Sequence, residues 1–232
     1  MRIDIVTLFP QMIAAMLDDS IIGRARKKGL LQIVPHQLRD YADSKHRKVD
    51  DCTFGGGKGM LLMAEPFAKC IDEISEHLSK KPHIIYMSPR GSVLNQQTAK
   101  RLANEENLII LCGHYEGIDE RLIAEYVDEE ISIGDYVLTG GEMPAAVLVD
   151  TVSRMIGGVL AGEECFTEES HYNGLLEYPQ YTRPEIWRGT GVPEVLMSGH
   201  HENIKRWRHE ESIKMTRKHR PDLLPEEEIR NK

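Results

Sequence analysis

Residues 131–155 read ISIGDYVLTGGEMPAAVLVDTVSRM. The segment begins like a buried strand, passes a turn holding Gly134, Gly140 and Gly141, and ends with apolar residues at helical spacing. Glycine carries a large conformational entropy cost, so such a concentration marks a place where the main chain comes close to something. Two further stretches share the trait, LCGHYEGIDERL at 111–122 and TFGGGKGML at 53–61.

Outward from this segment, short apolar strands alternate with amphipathic helices. RIDIVTLF reads as the opening strand, and Pro10 suits the first position of a helix over PQMIAAMLDD. SIIGRARKK is a second, basic helix ending at Gly29, and LLQIVPH is a second strand. EPFAKCIDEISEHL carries Phe67, Ile71, Ile74 and Leu78 at helical spacing. HIIYMSP is a strand stopped by Pro89, NQQTAKRLAN a helix, NLIILCG a strand, IDERLIAEYV a helix, and EEISIGDYVL a strand again. The pattern predicts one α/β domain, ending near residue 160, with a mainly parallel sheet covered on both faces. Between Gln37 and Met60 the chain is polar, glycine-rich and aperiodic, the mark of a long functional or mobile loop. The stretch LAGEECFTEESHYNGLLEYPQYTRPEIWRGTGVPEV breaks the alternation and reads as a linker followed by an irregular docking segment. HHENIKRWRHEESIKMTRKHR then forms a basic helix, with Ile204 and Trp207 inward, stopped by Pro221 ahead of an acidic tail, PEEEIRNK.

Composition excludes several classes. No apolar run approaches the length of a bilayer span, and the N-terminus lacks a signal-peptide pattern, so the expected location is cytoplasmic and no membrane partner is expected. Cys52, Cys70, Cys112 and Cys165 have no paired spacing, which argues against a zinc site or a disulfide framework. The net charge is −8, but its distribution matters more than its sum. Ten acidic residues stand against one basic between 104 and 136, whereas nine basic residues and four histidines stand against five acidic ones between 183 and 220. A basic stretch of this kind is either a solvated helix face or a grip on a phosphate backbone.

The glycine clusters match no nucleotide motif. A Walker loop would need glycine at 52 and a hydroxyl residue at 59, where Cys52 and Gly59 stand, and a dinucleotide fingerprint would need glycine where Met60 stands. In an open α/β sheet, ligands lie off the carboxyl ends of the strands. The loops YMSPRG, GHYEG and GDYVLTGGE all follow strands, so they read either as one ligand cradle or as separate tight turns.

Taken in order, FGGGKGM, GHYEGIDER, ISIGDYVLTGGE, GLLEYPQYTRP and VLMSGHHENIKRWR resemble the bacterial tRNA (guanine-N1)-methyltransferases, in the SPOUT class of RNA methyltransferases. The similarity runs nearly end to end. It implies an α/β SPOUT domain over 1–160 whose C-terminal part forms a trefoil knot, a linker over 161–175, and a small, mainly helical tRNA-binding domain over 176–232. It further implies a homodimer with the active site at the subunit interface. The cofactor would be S-adenosylmethionine, bent into the knot and held around Ser88, Pro89, Gly113, Tyr115, Glu116, Ser132, Ile133, Gly134, Asp135, Tyr136, Val137, Leu138, Gly140 and Gly141. The substrate would be tRNA, methylated at N1 of the guanosine immediately 3′ of the anticodon. Magnesium is thought to assist this family, although no metal-ligand spacing is visible in the chain.

Methyl transfer to guanine N1 needs no nucleophilic side chain, but N1 carries a proton that a base must take while charge grows on O6. The family assigns the base to an Asp followed by Ser. The corresponding position here is Glu169, one methylene longer, with Glu168 as its competitor. A glutamate is ionised at neutral pH and can accept a proton. Arg154 matches a family arginine on the guanine side and would stabilise O6, or else pairs with Asp150 one helical turn earlier. By the same resemblance Gly59 would face the RNA, in a loop where Thr53-Phe54 replaces the usual Pro-Tyr. Lys205, Arg206, Arg208 and Arg217 would grip phosphates of the anticodon stem.

Overall fold

The structure is a computed structural model in which residues 1–225 are described; the acidic tail expected beyond Pro225 lies outside them. The chain divides into two compact units, Met1–Gly162 and Glu163–Lys232.

The first unit runs β1 (Arg2–Thr7), α1 (Pro10–Leu17), α2 (Ser20–Lys27), β2 (Gln32–Gln37), β3 (Asp50–Cys52), β4 (Met60–Leu62), α3 (Ala64–Glu76), β5 (His83–Val93), α4 (Gln96–Leu102), β6 (Asn107–Cys112), α5 (Glu120–Tyr126), β7 (Glu129–Ser132) and α6 (Glu142–Ser153). Five strands form one sheet in the order β2-β1-β6-β5-β7, every neighbouring pair parallel. Because strand side chains alternate, each strand feeds both faces. Ile3, Ile5, Ile85, Met87, Leu108 and Ile110 pack with buried residues of α1, α2, α4 and α6, among them Ile13, Ile22, Leu102 and Leu148. Val6, Ile84, Ile109 and Leu111 pack on the other face with Phe67, Ile71 and Ile74 of α3 and Leu122 of α5. Each such fully buried side chain contributes about 1.5–3 kcal/mol. This is the mixed α/β architecture with a parallel sheet that the strand–helix alternation predicts.

Local chemistry sets the boundaries. Pro10 opens α1, Gly29 with φ +73° follows α2, and the Asn95 side chain caps α4 by accepting from Thr98 N at 3.0 Å. Three sequence readings are corrected. Strand β5 does not stop at Pro89 but continues to Val93, because the ladder slips there: Met87 and Ser92 both lie opposite Ile131, and proline is tolerated in such an irregularity. Strand β7 ends at Ser132 rather than continuing to Leu138, since the Ser132 hydroxyl donates to Gly134 O at 2.9 Å and closes a turn. The long polar stretch after β2 is no bare loop. It holds a short 3-10 helix at Leu38–Tyr41 and the antiparallel pair β3–β4, whose three-residue strands are too short to show periodicity.

One charge is buried inside the sheet. Asp4 on β1 is wholly buried and accepts from Arg2 Nε at 2.8 Å and pairs with His36 Nε2 of β2 at 2.7 Å. Burial alone would raise its pKa, but the hydrogen bonds from His36 and Arg2 outweigh that and hold it below the ordinary carboxylate value.

The second unit contains α7 (Glu164–Thr167), the antiparallel pair β8 (Ile186–Trp187) and β9 (Thr190–Gly191), α8 (Glu194–Met197) and α9 (His201–His219). The hairpin and the two short helices lie where the sequence reads as irregular. Among the described residues its buried positions are few: Ser212 and Thr216 on α9, and Leu224. The Thr216 hydroxyl accepts from Leu176 N at 2.8 Å and donates to Ser212 O at 2.7 Å, tying the start of the unit to its long helix. Among the described residues no helix is long and apolar enough to cross a membrane.

Candidate active site

Strands β6 and β7 deliver their C-terminal ends, and the adjacent β5 the stretch where its ladder slips, to one cleft of about 260 Å³. Residues 86–89, 113–117, 131–133 and 136–141 line it, with Pro144 of α6. All of the positions expected to hold a cofactor border this cleft except Gly134 and Asp135. The lining also includes Tyr86, Met87, His114 and Thr139, which sequence reading did not single out.

The glycines have a first explanation in chain-on-chain packing. The loop after β6 and the loop before α6 lie against one another: His114 and Gly140 form an isolated antiparallel bridge, and Gly141 N donates to Gly113 O at 2.9 Å. A Cβ on Gly140 would stand 2.2 Å from His114 Nε2, and one on Gly141 would stand 2.7 Å from Cys112 Cα. Both approaches are closer than any side chain permits. The glycines therefore let the two loops touch at the wall of the cleft.

A buried polar chain fixes this contact. Glu142, the first residue of α6, is only 2% exposed. Its Oε1 accepts from the Thr7 hydroxyl at 2.5 Å and its Oε2 pairs with His114 Nε2 at 2.7 Å. The helix N-terminus further favours a carboxylate there. Phe9 sets its ring edge-on to His114, the centroids 5.0 Å apart. Strand β1, helix α6 and the loop after β6 are thus joined by side chains 28 to 135 residues apart, a separation no local pattern reveals, although His114 and Glu142 both lie within the glycine-rich motifs. Burial, with Glu142 adding to it, holds the Cys112 thiol well above its ordinary pKa. Tyr86 is raised likewise, first by burial and then by Glu130, so both stay neutral at physiological pH.

The glycine-rich turn between β3 and β4 leads to the same rim. Glu116 N donates to Met60 O at 3.0 Å, Leu62 N to Gly117 O at 3.0 Å, and Asp119 N to Leu62 O at 3.0 Å. Gly59 lies against the Glu116 carboxylate. Phe54 at the tip is fully exposed.

Arg154 caps the C-terminus of α6. The helix is 12 residues long, so its two ends are roughly 18 Å apart, and Arg154 does not border the cleft of its own chain. In the second unit Glu168 and Glu169 are exposed just after α7. On α9, Lys205, Arg206 and Arg217 are exposed, with Arg206 also bonded to Asn203 Oδ1 at 3.1 Å. Arg208 differs. It lies one and two turns before the buried Ser212 and Thr216 on the same stripe, and its guanidinium stacks 4.8 Å from the centroid of Tyr178. It packs the helix as well as charging it. Trp207 is half-buried with its ring 6.4 Å from that of Tyr181, the packing role its spacing predicts. Among the described residues no group of His, Cys, Asp and Glu is arranged to hold a metal ion.

A parallel α/β sheet with a cleft at its carboxyl edge belongs to the class of open α/β folds that take ligands at that edge. Comparison with known proteins narrows it. The model of the tRNA (Guanine-1)-methyltransferase TrmD family matches residues 1–226. A tRNA (guanine-N(1)-)-methyltransferase of Ruminiclostridium cellulolyticum is 58% identical over 224 residues, covering 97% of this chain and 96% of that protein. The same enzyme of Lachnospira eligens is 54% identical over 97% and 96% of the two chains, and that of Clostridium kluyveri 52% identical over 98% and 92%. The chain belongs to the tRNA (guanine-N1)-methyltransferase family, whose members are methyl-transferring enzymes of tRNA modification.

Proposed function

We propose that this protein transfers a methyl group from S-adenosylmethionine to N1 of the guanosine immediately 3′ of the anticodon in tRNA, in the cytoplasm. The observation that carries the reading is the cleft shared by β5, β6 and β7, inside a chain whose residues 1–226 match the family. The cleft suits that donor. Ile133, Val137 and Leu138 offer an apolar side to an adenine ring, and main-chain groups around Gly113 and Gly140 offer polar contacts to its edge. Tyr115, Tyr136 and the exposed Glu116 stand at the mouth, where a carboxylate favours a cation. Gly134 and Asp135 act by shaping the turn rather than by contact. The touching loops at 113–117 and 138–141 support a trefoil knot in this part of the chain.

S-adenosylmethionine supplies an electrophilic methyl carbon on its sulfonium. Guanine N1 forms the new bond to that carbon as the carbon–sulfur bond breaks, and the N1 proton goes to the Glu169 carboxylate. The guanidinium of Arg154 balances the charge that develops on O6. Arg154 lies remote from the cleft of its own chain, which favours a homodimer in which one protomer's cleft is completed by its partner. Exposed Phe9, Met12 and Met16 at α1, and Met143 and Val147 on α6, give an apolar face for that partner. The unit from Glu163 onward takes the tRNA, with Gly59 near the target and Lys205, Arg206, Arg208 and Arg217 among its phosphate contacts.

Radiolabelled donor incubated with tRNA transcripts tests the reading. Transfer is expected when guanosine follows the anticodon and not when another base replaces it. Glu169→Gln is expected to slow turnover at least about a hundredfold while donor affinity stays unchanged. No transfer by the wild-type protein would leave a non-catalytic RNA binder, and near-normal turnover in Glu169→Gln would move the base to Glu168.

A further inference from the structure

In the second unit one small element is built against the usual rules of burial. Strands β8 and β9 pair Ile186 with Gly191 and Trp187 with Thr190, and the two residues between them, Arg188 (φ +47°) and Gly189 (φ +82°), form the tight turn. Positive φ at both positions gives a hairpin whose twist matches its strands. At Arg188 that conformation costs about 1–2 kcal/mol. The tip displays what a folded chain normally hides: Ile186 is 65% and Trp187 63% exposed. The Arg188 guanidinium lies over the indole, 4.9 Å from its centroid. A ring that stays this exposed beneath a guanidinium presents its other face to solvent. No described carboxylate pairs with Arg188, nor with Arg183 just before the hairpin; Glu185, the acidic residue at this spot, is itself exposed.

We propose that the Trp187–Arg188 hairpin tip is a stacking platform for one unpaired base of the RNA substrate. The proposal rests on the tRNA-methylating reading above and assigns that reading a second contact point, remote in sequence from the donor cleft. Size favours a base over a protein partner. A stable protein interface needs roughly 800 Å² from each side, far more than one indole and one isoleucine offer, whereas an indole face matches one nucleobase. Charge favours it too. A guanidinium stacked on the ring and paired with none of the described carboxylates is suited to the adjacent phosphate, and the surrounding residues 183–220 carry nine basic against five acidic side chains. Bases within a duplex are already stacked, so the partner is a base in a loop.

The chain has two tryptophans, so Trp207→Phe leaves Trp187 as the sole indole reporter. Titration with an unmodified tRNA transcript is expected to quench Trp187 emission saturably. In the otherwise wild-type chain, Trp187→Ala is expected to raise the tRNA KM about tenfold with kcat and donor affinity unchanged, and Trp187→Phe to restore most of the loss. If wild-type protein methylates the transcript while Trp187 emission is silent and Trp187→Ala keeps the wild-type KM, the platform is wrong and the enzyme reading stands. Emission that changes with protein concentration alone, without RNA, would assign the tip to a second copy and also overturn the proposal. Wild-type protein that binds no tRNA would overturn the platform and the enzyme reading together. Should Trp207→Phe fail to fold, the KM of Trp187→Ala decides by itself.

Discussion

The two units solve opposite problems with the same chain chemistry. In the first, the loops at 113–117 and 138–141 touch through glycines, and a carboxylate that is nearly inaccessible, Glu142, is held by Thr7 and His114. A second carboxylate, Asp4, is buried in the sheet. In the second unit, among the described residues, no carboxylate is buried, the buried positions are Ser212, Thr216 and Leu224, and large apolar and basic groups face outward. Buried, fully bonded polar groups make a site rigid before its ligand arrives, which suits a small molecule held by main chain. Exposed cations and aromatic rings suit a large polyanion whose contacts are spread over a surface. On the proposed reading, the cleft of the first unit is the prepared site for the donor and the second unit is the surface offered to RNA.

That contrast can be broken by substitution. Asp4→Asn should have the largest effect on folding, about 3–5 kcal/mol at neutral pH, read by denaturant unfolding. The folded-state pKa of Asp4 is depressed. Its contribution is therefore complete above the unfolded-state value near pH 4 and disappears as pH falls through the lower folded value. Wild-type stability should drop across that acidic window, and the Asn variant should show less of the drop.

Next comes Gly141→Ala. Its new Cβ would meet backbone at Cys112, 2.7 Å away, so a loss of about 1–3 kcal/mol is expected, with donor affinity falling as the two loops part. Unchanged donor affinity would mean that their contact does not shape the cleft. Thr7→Val removes one hydrogen bond from a buried carboxylate and should cost about 1–3 kcal/mol, with Thr7→Ser restoring most of it. The smallest effect on stability belongs to the second unit. Arg206→Glu should leave unfolding unchanged, weaken tRNA binding severalfold, and lower the salt slope by about 0.7–0.9 for each phosphate that is no longer neutralised. An unaltered slope would return that face of α9 to simple solvation.

Much of the first unit is legible before any coordinates. Apolar runs such as NLIILC and the spacing of Phe67, Ile71 and Ile74 announce strands and helices directly, because burial on both sheet faces writes itself into local periodicity. The cleft is legible as well, since glycines at successive strand ends name its walls. What stays hidden is long-range. The pairing of Thr7 and His114 with Glu142 joins residues whose proximity only the finished fold creates. The glycines, too, suggest a bound molecule from sequence alone, whereas Gly140 and Gly141 first make room for His114 and Cys112. The three-residue strands β3 and β4 and the hairpin β8–β9 are too short to carry a period. On α9, one stripe holds both the buried Ser212 and Thr216 and the basic Arg208, so composition alone assigns that arginine to solvent when its ring-stacked guanidinium packs the helix.

On the proposed reading the first unit carries a preformed pocket for the methyl donor, independent of RNA. Isothermal titration of S-adenosylmethionine into the purified full-length protein, without tRNA, tests it most directly. Saturable binding by the wild-type chain, retained in Glu169→Gln and weakened in Gly141→Ala, is the predicted result. Absence of binding in the wild-type chain, or binding that appears only once tRNA is added, would contradict it.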